Sequence, residues 1–108
     1  GLLLYSANEM AYALGEHVAG SIDAFVDMMN AKAKELGALN THFANASGLY
    51  NTDHYTTAYD MAMIARGCYN NASFVSIDST ADAYVIPATN TAYNKTPTQD
   101  VKGPCLLL

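Results

Sequence analysis

The sequence predicts a mainly α-helical domain with one or two short strands near its C-terminal end. Apolar residues recur at helical spacing in three stretches before residue 70, and Ser, Thr, Gly and Asn stand where these stretches begin and end. A run of β-favouring residues comes late, at residues 83–86, and Pro87 stops it. Half of the 108 residues are hydrophobic and 14% are charged, which is typical of a chain that packs a core.

The first predicted helix covers residues 8–18 and ends near Gly20. Glu9 lies in its first turn, where a negative charge interacts favourably with the positive end of the helix dipole. The residues that repeat at helical spacing are Met10, Ala13, Leu14, His17 and Val18.

The second helix is predicted by more signals than the first, because Ser21 is suited to cap its start and Gly37 to end it. Its apolar face is expected to pack into the core. The residues of that face are Ile22, Phe25, Val26, Met29, Ala33 and Leu36.

Residues 38–56 show no periodicity and predict a long loop, rich in Asn, Thr, Ser, Gly and His. Such a loop is uncommon in a compact domain unless it packs on itself or borders a site, so we expect a wall or a lid. Thr57 and Asp60 then resemble a capping box that opens a third helix. The expected apolar face of this helix is Met61, Ile64, Ala65 and Cys68, with an end near Asn70 and Asn71 and a further helical turn over residues 72–77.

Composition excludes several function classes. The net charge is −5 with five Lys and Arg residues, so a nucleic-acid partner and contact with anionic lipid are not expected. Cys68 and Cys105 form no Cys-x-x-Cys motif and are predicted to be unpaired, and the three histidines lack metal-ligand spacing. We therefore predict neither a metal nor another cofactor.

Both ends of the chain are abruptly apolar, with leucine triplets at residues 2–4 and 106–108. Chain termini are usually polar, so residues 1–108 are expected to be a partial domain of a longer chain. The sequence shows no signal peptide and no segment of about 20 apolar residues that would span a bilayer.

The triplet Ser6-Ala7-Asn8 is the candidate for chemistry, since it lies between an apolar run and the first helix. Two polar side chains two residues apart in a non-helical turn can face one cleft, whereas within a helix they diverge. Ser6 or Asn8 can instead serve to cap the helix that starts near Glu9, and the two roles can coexist.

Several blocks in this order resemble the low-molecular-mass penicillin-binding proteins, the D-alanyl-D-alanine carboxypeptidases of serine peptidase family S11. The likeness covers about residues 1–90 and fades beyond Asn90. The matching blocks are residues 1–9, 11–14, 16–21, 24–26, 29–33, 36–37, 40–43, 47–49, 54–62 and 86–90.

The resemblance implies the helical lobe of a β-lactamase/penicillin-binding transpeptidase-like α+β fold. It also implies that Ser6 and Asn8 form the Ser-x-Asn element of a site that further needs Ser-x-x-Lys and Lys-Thr-Gly. No Ser in the 108 residues has Lys three positions on, and residues 95–97 read Lys-Thr-Pro, where Pro adds bulk and removes a donor. The other two motifs are expected upstream and downstream.

In this interpretation Ser6 passes a proton to the leaving amine, and Asn8 orients the substrate or the catalytic lysine. The implied partners are peptidoglycan stem peptides and β-lactams, and the implied location is the extracytoplasmic cell envelope. The family often carries His-Gly-Leu-Asp where this chain has Ser47-Gly48-Leu49-Tyr50, so no role of that His or Asp transfers.

Two alternatives stay open. One is a non-catalytic helical binding or structural module related to the lobe, and the other is a β-lactamase-like hydrolase of the same family. In the isolated chain, surfaces that the rest of such a domain would cover are expected to be exposed, which favours self-association.

Overall fold

The computed structural model describes residues 2–5 and 7–79, and this part of the chain is helical. Within these residues there is no β-strand, and the mainly helical fold class agrees with the prediction. The predicted strand at residues 83–86 lies outside the described residues. The helices are α1 (Leu2–Tyr5), α2 (Asn8–Ala19), α3 (Ile22–Glu35), α4 (Ala58–Tyr69) and α5 (Ala72–Asp78).

Helices α2 and α3 form a hairpin whose short turn was predicted from the sequence. Gly20 ends α2 in the left-handed conformation, with φ of 83°, and its N–H donates to the Glu16 carbonyl. Ser21 follows in an extended conformation and its hydroxyl accepts a hydrogen bond from the Ala24 N–H, which caps α3. Both boundaries are therefore confirmed.

Where α2 and α3 pack together, large side chains of α3 lie against small residues of α2. α3 presents the predicted apolar face, which is buried or half-buried, and α2 meets it with Ala11 and Gly15. A Cβ atom at Gly15 would lie 2.9 Å from a ring carbon of Phe25, so the helices approach closely only because Gly15 has no side chain.

The large apolar residues that repeat at helical spacing along α2 are exposed. Met10, Leu14 and Val18 have exposed fractions of 42 to 57%, whereas Ala11 and Gly15 are buried. The reason is steric, since the bulky residues of α3 leave room only for the smallest residues of α2.

Helix α4 begins as predicted, because the Thr57 hydroxyl accepts a hydrogen bond from the Asp60 N–H at 3.1 Å. The second half of the predicted capping box is wrong: the Asp60 carboxylate turns away from Thr57 to bond the preceding loop. Buried polar groups of that loop need an acceptor, and Asp60 supplies it.

The buried side of α4 also differs from the predicted one. Ala65 is exposed, whereas Gly67 lies so close to Leu36 that an added Cβ would come within 2.7 Å of a Leu36 methyl. Met61, Ile64 and Cys68 are half-buried, as expected.

Helix α5 confirms the predicted turn after Asn71, whose side chain caps it by accepting from the Phe74 N–H. Helix α1 was not predicted, and it contacts both α2 and α5. No helix within residues 2–5 and 7–79 combines the length and apolar character needed to cross a membrane.

Candidate active site

Asn8, one of the two predicted site residues, lies in the first turn of α2. Ala7 is the N-cap residue, with φ of −76° and ψ of 102°, and it makes no side-chain capping hydrogen bond. Asn8 is the first helical residue and is exposed. Its amide has no hydrogen-bond partner among the residues that the structure describes, so the capping alternative is wrong for Asn8.

Ser6, the other predicted site residue, lies outside the described residues. The backbone on either side is described: α1 ends at Tyr5, and Ala7 is extended before α2 starts.

The long loop reaches α2 one turn after Asn8. The Tyr12 hydroxyl and the Ser47 hydroxyl form a half-buried hydrogen bond of 3.2 Å. Residues 35 positions apart in the chain are thereby joined, and the loop borders the N-terminal half of α2. The loop therefore packs against α2, and its role as a wall or a lid of a site stays a prediction.

The tip of this loop, residues 45–49, is folded around the side chain of Asn45. The Asn45 Oδ1 accepts from the N–H groups of Ser47 at 3.2 Å and Gly48 at 2.7 Å, and Asn45 Nδ2 donates to the Leu49 carbonyl at 2.8 Å. Gly48 has φ of 81°, a left-handed conformation that suits glycine. The tip is therefore a self-contained turn.

The middle of the loop is fastened to α3 by Asn30. The Asn30 amide donates to the Phe43 carbonyl at 2.9 Å and accepts from the Phe43 N–H at 2.7 Å. This two-way bond reproduces the pairing of a neighbouring strand. Next to it, the Ala44 N–H donates to His54 Nδ1 at 3.1 Å, which places the ring proton of the neutral imidazole on Nε2.

The two ends of the loop are tied together and then to α4. His42 and Tyr55 form an antiparallel bridge through backbone hydrogen bonds of 2.9 and 3.0 Å. Asp60, only 1% exposed, accepts from the Asn40 N–H and from the Thr41 hydroxyl, both at 2.7 Å. The carboxylate thus holds the entry of the loop against the first turn of α4.

Cys68 is unpaired, as predicted, while Cys105 lies outside the described residues. Burial raises the pKa of the Cys68 thiol, and the nearby charge of Asp78 raises it further. A thiol of this kind is a poor nucleophile at neutral pH. Among the residues described, no three His, Cys, Asp or Glu side chains converge to hold a metal ion.

Sequence reasoning missed the part that Tyr12, Asn30, Asn45 and Ser47 play in shaping the loop, and it placed Asp60 in a capping box instead. Two of the four missed residues left a signal: Asn30 is a polar residue near the predicted apolar face of α3, and Asn45 followed by Gly48 is typical of a turn. Nothing in the sequence marks Tyr12 as the partner of Ser47.

Comparison with known proteins shows which family the chain resembles. The family model described as D-alanyl-D-alanine carboxypeptidase, peptidase S11, matches residues 1–100. The D-alanyl-D-alanine carboxypeptidase DacF of Bacillus subtilis is 40% identical over 85 residues, which are 79% of this chain and 22% of that protein.

Solved structures give the same picture. The D-alanyl-D-alanine carboxypeptidase DacD of Francisella tularensis matches with a TM-score of 0.71 and 40% identity, over 77% of this chain and 20% of that one. Penicillin-binding protein 5 of Haemophilus influenzae matches with a TM-score of 0.73 and 31% identity, over 81% and 25% of the two chains. The chain thus spans between a fifth and a quarter of the length of these relatives.

Proposed function

Because this chain belongs to the D-alanyl-D-alanine carboxypeptidase family, peptidase S11, we propose that it is the Ser-x-Asn segment of a longer serine-type carboxypeptidase. The observation that carries the proposal is the position of Asn8, which opens α2 with its amide exposed and without a hydrogen-bond partner among the described residues, on a helix that the long loop contacts. The substrate class is a peptidoglycan stem peptide that ends in D-Ala-D-Ala.

The proposed reaction is acyl transfer in two steps. A serine oxygen, from a Ser-x-x-Lys motif outside these 108 residues, attacks the carbonyl carbon before the terminal D-alanine. The C–N bond breaks, the amine takes a proton and D-alanine leaves. Water then cleaves the ester and frees the shortened peptide. β-Lactams would acylate the same serine.

Within this reaction Ser6 and Asn8 have separate roles. A hydroxyl both donates and accepts, so Ser6 can relay a proton from the attacking serine to the leaving nitrogen. The Asn8 amide can bond the substrate backbone or the catalytic lysine, and its lack of any described partner leaves both its donors and its acceptor available. A peptidoglycan substrate places the enzyme on the extracytoplasmic side of the cell envelope.

A fluorescent penicillin tests the proposal on two proteins, the 108-residue chain alone and the full-length protein that contains it. We expect a stable label on the full-length protein, D-alanine release from a peptide ending in D-Ala-D-Ala, and no label on the isolated chain. Ser6→Ala should lower the rate of D-alanine release about 100-fold or more, the usual contribution of a proton-transfer group. Ser73→Ala, an exposed serine of α5, is the matched control.

The outcomes separate the alternatives. A full-length protein that neither releases D-alanine nor takes the label would favour the non-catalytic helical module. Rapid penicillin turnover without a lasting adduct would favour a β-lactamase-like hydrolase.

We also propose that the isolated chain self-associates through the exposed stripe of Met10, Leu14 and Val18 on α2. These residues stand at i, i+4 and i+8 and form one continuous apolar face. Size-exclusion chromatography with light scattering should show a species larger than a monomer, and Leu14→Lys should shift it to a monomer. A monomeric wild-type chain would contradict this proposal.

A further inference from the structure

We propose that Tyr12 and Ser47 are positioning residues for the carboxypeptidase site. The hydrogen bond between their hydroxyls holds the loop tip, residues 45–49, at a fixed distance from Asn8, so that the tip forms one wall of the substrate cleft. This inference rests on the proposed function and adds to it the residues that set the width of the cleft.

The position of Tyr12 on α2 is the first step. Tyr12 follows Asn8 by four residues, so the two side chains share a face of the helix and are separated by about 6 Å along its axis. We therefore infer that a loop segment bonded to Tyr12 lies on the side of α2 that carries Asn8.

The internal structure of the tip is the second step. Asn45 holds the backbone of Ser47, Gly48 and Leu49 with three hydrogen bonds of 2.7 to 3.2 Å. The tip is thus preorganised as one unit. What fixes this unit relative to α2 is the contact with Tyr12, since no other hydrogen bond joins residues 44–50 to α2 in the part of the chain that the structure describes.

The neighbours of Ser47 can all be satisfied at once, whichever hydroxyl of the Tyr12–Ser47 pair is the donor in the absence of the other contacts. One arrangement of protons satisfies all the partners of Ser47: the Asn45 Oδ1 can only accept, and the Ser47 hydroxyl donates to it across 3.4 Å. The lone pairs of Ser47 Oγ remain, and they receive the Tyr12 hydroxyl proton and the Leu49 N–H, the latter at 3.4 Å. Ser47 is fully engaged, which suits a structural contact rather than a reacting group.

The test is a double-mutant cycle in the full-length protein, with Tyr12→Phe, Ser47→Ala and both together. The measurement is the second-order rate constant for labelling by fluorescent penicillin, together with the fraction labelled at completion. Each single variant should slow labelling about two- to tenfold, the loss expected for one neutral hydrogen bond. In the Ser47→Ala background, Tyr12→Phe should cause no further decrease, because the bond is already absent.

Two readouts distinguish positioning from folding. A positioning role lowers the rate constant and leaves the labelled fraction unchanged, whereas partial unfolding lowers the labelled fraction. Ser47→Thr keeps the hydroxyl and should restore most of the rate. Tyr59→Phe is the control, since Tyr59 is 69% exposed and its hydroxyl has no described partner.

Single variants that label at the wild-type rate, or rate losses that multiply in the double variant, would overturn the inference while the wild-type activity still supported the proposed function. A wild-type full-length protein that is inert to both penicillin and D-Ala-D-Ala peptide would overturn the proposed function and the positioning role with it.

Discussion

Replacing Asp60 with alanine should release the entry of the long loop from α4 and destabilise the folded chain. The carboxylate accepts two hydrogen bonds of 2.7 Å, from the Asn40 N–H and the Thr41 hydroxyl, at a position that is 1% exposed. Hydrogen bonds to a charged group each contribute about 1.5 to 3 kcal/mol, which gives an upper bound of about 6 kcal/mol for the pair.

Two effects reduce this bound. The Thr41 hydroxyl keeps a second partner, the Thr56 hydroxyl at 2.9 Å, so only the Asn40 N–H loses its one described partner. The variant also no longer pays the desolvation penalty of a buried carboxylate. We therefore expect Asp60→Ala to lower the free energy of unfolding by about 3 kcal/mol.

Asp60→Asn gives a graded comparison, because the amide oxygen can accept the same two hydrogen bonds without the charge. Neutral hydrogen bonds are roughly half as strong as charged ones. We therefore expect Asp60→Asn to lower the free energy of unfolding by about 1 to 2 kcal/mol. Asp53→Ala is the control within the same loop, since the Asp53 side chain is exposed and makes no described hydrogen bond.

Urea unfolding followed by circular dichroism measures these differences, and hydrogen exchange locates them. The amides of residues 40–44 and 54–56 should lose protection in Asp60→Ala while those of α2 and α3 keep more of it. An Asp60→Ala variant within about 0.5 kcal/mol of wild type, the range of ordinary surface substitutions, would refute the anchoring role of the carboxylate.

Two further predictions concern Cys68 and Gly20. Because burial and then Asp78 raise the pKa of the Cys68 thiol, its alkylation by iodoacetamide in a Cys105→Ser background should rise with pH at a higher midpoint than in the unfolded chain. Asp78→Asn should lower that midpoint in part, since burial remains; an unshifted wild-type midpoint in mass spectrometry would contradict this reasoning. Gly20→Ala should cost about 1 kcal/mol of unfolding free energy in urea, because φ of 83° strains any side chain although no atom lies within 4 Å of the new Cβ. Gly20→Asn should cost less, and equal losses for both variants would count against backbone strain as the cause.

How far the sequence predicts this fold depends on whether the signal is local. Ser21, Thr57 and Gly20 act on the backbone within a few residues of themselves, so the boundaries of α2, α3 and the start of α4 could be predicted correctly. The order of the family-like blocks around Asn8 likewise needed no coordinates.

Periodicity alone could not predict which side of a helix packs against its neighbour. Helical spacing groups Met10, Leu14 and Val18 on one side of α2, but it does not say which side meets α3. That depended on the volume of Phe25 and Ile22 on the partner helix, which admits Gly15 and excludes the larger residues.

The sequence by itself determined helices α2 to α5, the capping residues Ser21 and Thr57 and the position of Asn8 at the start of α2, since each depends on neighbours in the chain. Tertiary structure alone decided how the long loop is fixed to the helices, because the hydrogen bonds that do so join residues 13 to 35 positions apart, as in the pairs Asn30–Phe43, Thr41–Asp60 and Tyr12–Ser47. Such pairs produce no repeating pattern in the sequence, since each partner only needs to be polar and to lie close to the other in the folded chain.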